Sequence, residues 1–234
     1  MPVERRSYFI WMALFFIAMA FLESAVVVYL RALYYPDGFG FPLVPMSDAL
    51  VSAEIGREFA TMIMLLVPGA LVTRSRLERF AWFCFGFGIW DIFYYVWLEV
   101  LLGWPAGPGT ADLLFLIPVP WVGPVWAPCL VSLGLIALAL VILHGRARMP
   151  GLRLGAATWA CLVGGAGLII LSFVLDPLQQ GFGPKGMVAL EVPIGETMLA
   201  HEPYLPGPYP WPWFAAGSLL ALVGMIRIAR RYRT

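Results

Sequence analysis

Six stretches of about 20 predominantly apolar residues recur along this chain, and each is long enough to cross a bilayer as a helix. Hydrophobic residues make up 61% of the 234 residues and charged residues only 12%, against about 25% charged in an ordinary soluble domain. This composition excludes a soluble monomer. We predict an all-α integral membrane protein, a single domain spanning 1–234 and built as a six-transmembrane-helix bundle. The predicted spans are approximately 8–31, 48–73, 80–103, 123–144, 155–175 and 211–228.

The region before the fourth span has an unusual proline content. No charged residue occurs in 113–143, and this run is too long for one upright helix at about 1.5 Å per residue. Each proline lacks a backbone N–H and disrupts the preceding helical turn. We therefore predict an irregular or re-entrant segment here, with helix 4 starting near Val125. The prolines are Pro118, Pro120, Pro124 and Pro128.

The basic residues predict the orientation, because cytoplasmic connections are enriched in Lys and Arg. In a six-span arrangement, 12 of the 15 basic residues fall on one side. We expect both termini to lie on the cytoplasmic side of the cytoplasmic (inner) membrane. The connections 32–47 and 176–210 then lie outside, and the second is a long outer loop between helices 5 and 6. The twelve residues are Arg5, Arg6, Arg74, Arg76, Arg79, Arg146, Arg148, Arg153, Arg227, Arg230, Arg231 and Arg233.

Charged residues also occur inside the first three spans. Each costs a few kcal/mol if it faces lipid, so such residues usually face the bundle interior and mark a functional site. At about 1.5 Å per residue, all five carboxylates lie between mid-membrane and the outer surface. These residues are Glu23, Glu54, Arg57, Glu58, Asp91 and Glu99.

Helical spacing groups these side chains. Glu54 and Glu58 are four residues apart and share one helix face. Asp91, Tyr95 and Glu99 form a second polar stripe by the same spacing. We predict a site for a ligand or cation in the outer half of the bundle. Its core is Glu23, Glu58 and Asp91, with Arg57 setting their protonation and with Tyr95, Glu54 and Glu99 around them.

A structural interpretation competes with this one, since Arg57 and Arg31 can neutralise two of the carboxylates as ion pairs without binding anything.

Metal binding is a third option. Carboxylates suit a hard divalent cation such as Mg²⁺ or Ca²⁺, and His201 with Glu202 in the outer loop can fold over the acidic cluster. His144 and His201 fall on opposite sides of the membrane, which excludes bis-histidine haem, and no zinc motif occurs. The cofactor is not identified.

Three functions are compatible with these features. The first is a transport or binding subunit for a cation, a proton or a small polar ligand. The second is a membrane enzyme in which Glu58 or Asp91 acts as general acid/base on a lipid or isoprenoid, with the aromatic run 90–97 lining the tail groove. The third is an accessory subunit of a larger respiratory or photosynthetic complex. Membrane lipid is an expected partner in all three, and other membrane proteins in the third. Nucleic acid is expected in none, because the sequence has no basic stripe outside the helix ends.

Overall fold

The computed structural model describes residues 3–44, 46–180 and 204–232. Within these ranges the chain forms six long helices and one short β-hairpin. The elements are α1 (Val3–Tyr34), α2 (Asp48–Val72), α3 (Arg76–Leu102), β1 (Ala111–Phe115), β2 (Trp121–Pro124), α4 (Trp126–Arg148), α5 (Ala156–Gln180) and α6 (Trp211–Arg231).

All six helices are long and apolar enough to cross a membrane. The prediction of six spans in a polytopic membrane protein is therefore confirmed. Several helices extend beyond the apolar runs that predicted them, because hydropathy marks the hydrocarbon region while the polar turns at its edges remain helical. The clearest case is α5, which continues through Pro177 to Gln180.

Successive helices run in opposite directions across the bundle. The connections 35–47 and 103–125 and the start of α6 lie at one end, which we call the hairpin end. The short connections 73–75 and 149–155 and the end of α6 lie at the other, which we call the terminal end.

Helix α3 is central to the fold and packs against α1, α2 and α4, while α5 packs mainly against α6. Glycines permit the closest approaches. A Cβ atom on Gly88 of α3 would lie 2.5 Å from the backbone oxygen of Ser132 in α4, and one on Gly165 of α5 would lie 2.7 Å from that of Gly217 in α6. Small residues at helix contacts are the usual means of close packing in membranes.

Helices α1 and α2 approach each other only sparsely. In the half of the bundle toward the terminal end, they are separated by an apolar groove lined by residues such as Trp11, Phe15, Met64 and Leu71. In the other half, polar side chains connect them, as described below. Helix α2 is therefore held mainly by α3 and by these polar contacts.

The proline-rich segment contains a regular element that its sequence did not predict. Strands β1 and β2 pair antiparallel, with Ala111 opposite Pro124 and Phe115 opposite Trp121. Pro118 and Pro120 fall in the connection between the strands, where no ladder hydrogen bond is lost. Helix α4 begins at Trp126, next to the predicted start. The hairpin lies against the hairpin end of α3, α4 and α5 and forms one wall of the cavity described next.

Candidate functional site

A cavity of about 130 Å³ lies at the hairpin end, enclosed by α1, α2, α3, β1 and the connection after α1. Five carboxylates and two guanidinium groups line it, so negative formal charge exceeds positive by three. The remaining lining is mostly apolar or aromatic. The charged residues are Glu23, Glu54, Glu58, Asp91, Asp112, Arg31 and Arg57.

One group of charges joins α1 to α2 in the deeper part of the cavity. Arg57 forms ion pairs with Glu23 of α1 and with Glu54, one turn earlier in α2. Its Nη2 lies 2.7 Å and its Nε 3.0 Å from Oε2 of Glu54. Thr61 donates a hydrogen bond of 3.0 Å to Oε2 of Glu23. The spacing of three and four residues along α2 places Glu54, Arg57 and Thr61 on the face toward α1.

Glu58 lies in the same part of the cavity and is only half satisfied. Its Oε1 accepts a hydrogen bond of 2.9 Å from the backbone N–H of Leu116, just after β1. Its Oε2 is buried without a hydrogen-bond partner, and the residue is only 5% exposed. Buried polar atoms are nearly always hydrogen-bonded, so this oxygen marks a place where the site is incomplete.

Asp91 enters the cavity from α3. Its Oδ2 accepts a hydrogen bond of 2.8 Å from the Ser132 hydroxyl of α4. Gly88, one turn before Asp91, permits the close approach of α3 and α4 that brings these two groups together. The carboxylate is therefore positioned by helix packing as well as by its hydrogen bond.

The second charged group lies nearer the open rim. Nη2 of Arg31 lies 3.4 Å from Oδ1 of Asp112, and Tyr95 donates a hydrogen bond of 3.1 Å to Oδ2 of the same carboxylate. The Arg31 guanidinium lies between two aromatic rings, 3.8 Å from the Trp104 centroid and 4.3 Å from that of Phe39. Its Nη1 is buried without a partner.

Burial dominates the electrostatics of Asp112, which is 1% exposed. Removal from water raises its pKa from 3.8 to about 6, although the positive charge of Arg31 and the hydrogen bond from Tyr95 act in the opposite direction. The rim carboxylate is thus close to titrating in mildly acidic medium.

The aromatic run in α3 divides between two environments. Trp90, Tyr94 and Tyr95 line the cavity, whereas Trp97 donates a hydrogen bond of 3.2 Å to the backbone oxygen of Ile17 in α1. Trp90 is a third cavity-lining residue with a buried polar atom, Nε1, that lacks a hydrogen-bond partner.

The structure brings most of the predicted site residues together. Glu99 is an exception, because it is exposed and does not line the cavity. His201 and Glu202 lie outside the described residues, and among the described residues no three His, Cys, Asp or Glu side chains are grouped to hold a metal ion. The predicted site residues that line the cavity are Glu23, Glu54, Arg57, Glu58, Asp91 and Tyr95.

The predicted binding site did not include Asp112. Arg31 was predicted only as the ion-pair partner of a carboxylate in the structural interpretation. Asp112 is the last charged residue before the uncharged run 113–143, which places it at the edge of the bundle. That position is a signal for an interfacial carboxylate, but only the hairpin register shows that it pairs with Arg31.

No protein-family model matches this chain, and neither curated proteins nor solved structures gave a match.

Proposed function

We propose that this chain is a binding or transport subunit of the cytoplasmic membrane, and that its cavity takes a small ligand that carries a cationic group. The observation that carries the proposal is the buried Oε2 of Glu58, which lacks a partner in a cavity where carboxylates outnumber guanidinium groups. A cationic group of the ligand would supply both the missing hydrogen bond and a positive charge beside Glu58. Hydrogen bonds of this charge-assisted kind are about twice as strong as neutral ones.

The charge pattern supports access from the outer side. The terminal end carries the basic residues in and beside two connections, the one between α2 and α3 and the one between α4 and α5. It also carries those at the end of α6. By the rule that cytoplasmic connections are rich in Lys and Arg, the terminal end faces the cytoplasm. The hairpin end, with the cavity, then faces the outside.

The cavity favours binding over a purely structural role, because a structural role requires buried polar groups that satisfy one another. It also favours binding over proton transfer by Asp91, since the carboxylate oxygen that is buried without a partner belongs to Glu58. Asp91 is held by Ser132 instead.

The test is thermal unfolding of the purified protein in mild detergent with hexylammonium chloride or magnesium chloride, compared with Glu58→Gln. A ligand at a hundredfold excess over its Kd stabilises the folded state by about 2.7 kcal/mol. We expect one of these cations to raise the unfolding temperature of the wild type and to leave that of Glu58→Gln unchanged.

Glu99→Gln is the matched control, because Glu99 is a carboxylate of the same helical bundle that does not line the cavity. This variant should respond to the cation as the wild type does. The proposal is wrong if no ammonium compound stabilises the wild type and magnesium does not either, or if Glu58→Gln retains the full shift.

A further inference from the structure

The cavity has two charged side chains with a buried polar atom that lacks a partner, and their charges are opposite. Glu58 is 5% exposed and offers the acceptor Oε2, while Arg31 is 7% exposed and offers the donor Nη1. Both residues line the cavity. Leaving a buried charged group without a hydrogen bond is costly, so each atom indicates the chemistry of the group that would complete it.

The two side chains are anchored at opposite ends of β1. Arg31 pairs with Asp112 at the start of β1, and Glu58 pairs with Leu116 just beyond its end. Four extended residues span about 13 Å. The spacing along α1 agrees with this distance. Glu23 belongs to the deeper group because it pairs with Arg57, and it lies eight residues before Arg31, or about 12 Å along the helix.

Part of the lining is apolar. Val27 and Leu30 line the cavity from α1, and Leu113, Leu114 and Phe115 line it from β1. Such a surface favours methylene groups over polar groups, by about 0.8 kcal/mol for each CH₂ removed from water. Nε1 of Trp90 is a neutral donor, which a ligand oxygen or a water molecule can satisfy.

From this arrangement we infer that the ligand is a dipolar, short-chain aliphatic amino acid of the ω-amino type. Its ammonium group binds Oε2 of Glu58, its methylene chain lies along β1, and its carboxylate binds Nη1 of Arg31. Taking these backbone separations of about 12–13 Å as the distance between the two side-chain atoms, and allowing about 3 Å for the hydrogen bond at each end, leaves about 6–7 Å between the nitrogen and the carboxylate of the ligand. This inference rests on the proposed function and adds the second charge and the length.

The experiment compares four probes by isothermal titration calorimetry with the full-length protein in detergent. The probes are ε-aminocaproate, hexylammonium, hexanoate and glycine. The first carries both charges at the required separation, the second and third carry one charge each, and glycine carries both charges too close together to reach both ends.

We expect ε-aminocaproate to bind at least tenfold more tightly than each of the other three, which corresponds to about 1.4 kcal/mol. Arg31→Lys should reduce this preference over hexylammonium, because Lys keeps the charge but not the planar guanidinium. The comparison of probes on the wild type holds even if Arg31 variants fail to fold, since Arg31 also pairs with Asp112.

If hexylammonium binds as tightly as ε-aminocaproate, the dipolar inference is wrong and the cationic site stands. If glycine binds as tightly as ε-aminocaproate, the inferred length is wrong. If no probe binds while magnesium stabilises the wild type through Glu58, the inference fails and the proposed function remains. If magnesium and all four probes are without effect, both fail.

Discussion

Replacing Arg57 by Gln should destabilise the protein by about 3 kcal/mol. Arg57 is the ion-pair partner of both Glu23 and Glu54, so Arg57→Gln leaves two largely buried carboxylates without a cation. Removing one partner of a buried ion pair costs about 3–5 kcal/mol. The Arg57 side chain is 21% exposed and each Glu side chain 10%, and this residual hydration places the expected loss at the lower end of that range.

Labelling of a buried thiol measures the free energy of unfolding. Cys84 in α3 is 0% exposed, so a thiol-reactive dye labels it only after unfolding. Cys129 and Cys161 are half-buried and are replaced by Ala to remove their background signal. Arg148→Gln is the matched control, because Arg148 is exposed and an exposed substitution changes the free energy of unfolding by about 0.5 kcal/mol or less.

A compensating variant isolates the cause. The triple variant Glu23→Gln/Glu54→Gln/Arg57→Gln removes the cation and both carboxylates, so we expect it to recover most of the stability that Arg57→Gln loses. A loss below about 1 kcal/mol in Arg57→Gln, or a triple variant as unstable as the single one, would refute the reasoning from ion pairing.

Three further predictions concern packing, pH and a connection. Gly165→Ala should destabilise the protein, because its Cβ would lie 2.7 Å from a backbone oxygen of α6. Gly167→Ala should stabilise it by up to about 1 kcal/mol, because a Cβ there would have no other atom within 4 Å. The dye assay measures the free energy of unfolding of both variants. Because the folded-state pKa of Asp112 is raised from 3.8 to about 6 by burial, its contribution to stability is full below pH 3.8 and is lost as the pH rises to about 6. Unfolding of the wild type and Asp112→Asn over this range should differ in slope, and equal slopes would contradict the assignment. Tyr204→Phe removes a hydrogen bond of 2.5 Å to Asp176, so amide hydrogen exchange in 204–210 should become faster.

The bundle was predictable because membrane thickness fixes the length of an apolar run. The spans could be located without knowledge of any contact. The hairpin could not, because five- and four-residue strands give little periodic signal within an uninterrupted apolar run. Asp112 was missed for the same reason, since its pairing with Arg31 depends on where the hairpin lies.

Helical spacing predicted most of the cavity but overextended one stripe. Four residues advance about 40° beyond one full turn of an α-helix. Asp91 and Tyr95 therefore still face the cavity, but Glu99 is rotated by about 80° from Asp91 and is exposed. The unpartnered atoms of Glu58 and Arg31 were beyond sequence reasoning, because the absence of a hydrogen bond depends on all surrounding atoms.

The contacts between α1 and α2 have a consequence for biosynthesis. α2 carries Glu54, Arg57 and Glu58, and insertion of each charge into a bilayer costs about 2.5–3.5 kcal/mol. Glu23, the partner of Arg57 in α1, is translated earlier and is already available when α2 reaches the membrane. The partner of Arg31, in contrast, is Asp112, which is translated only after α3. The deeper charge group can thus assemble cotranslationally from the first two helices, and the rim closes later.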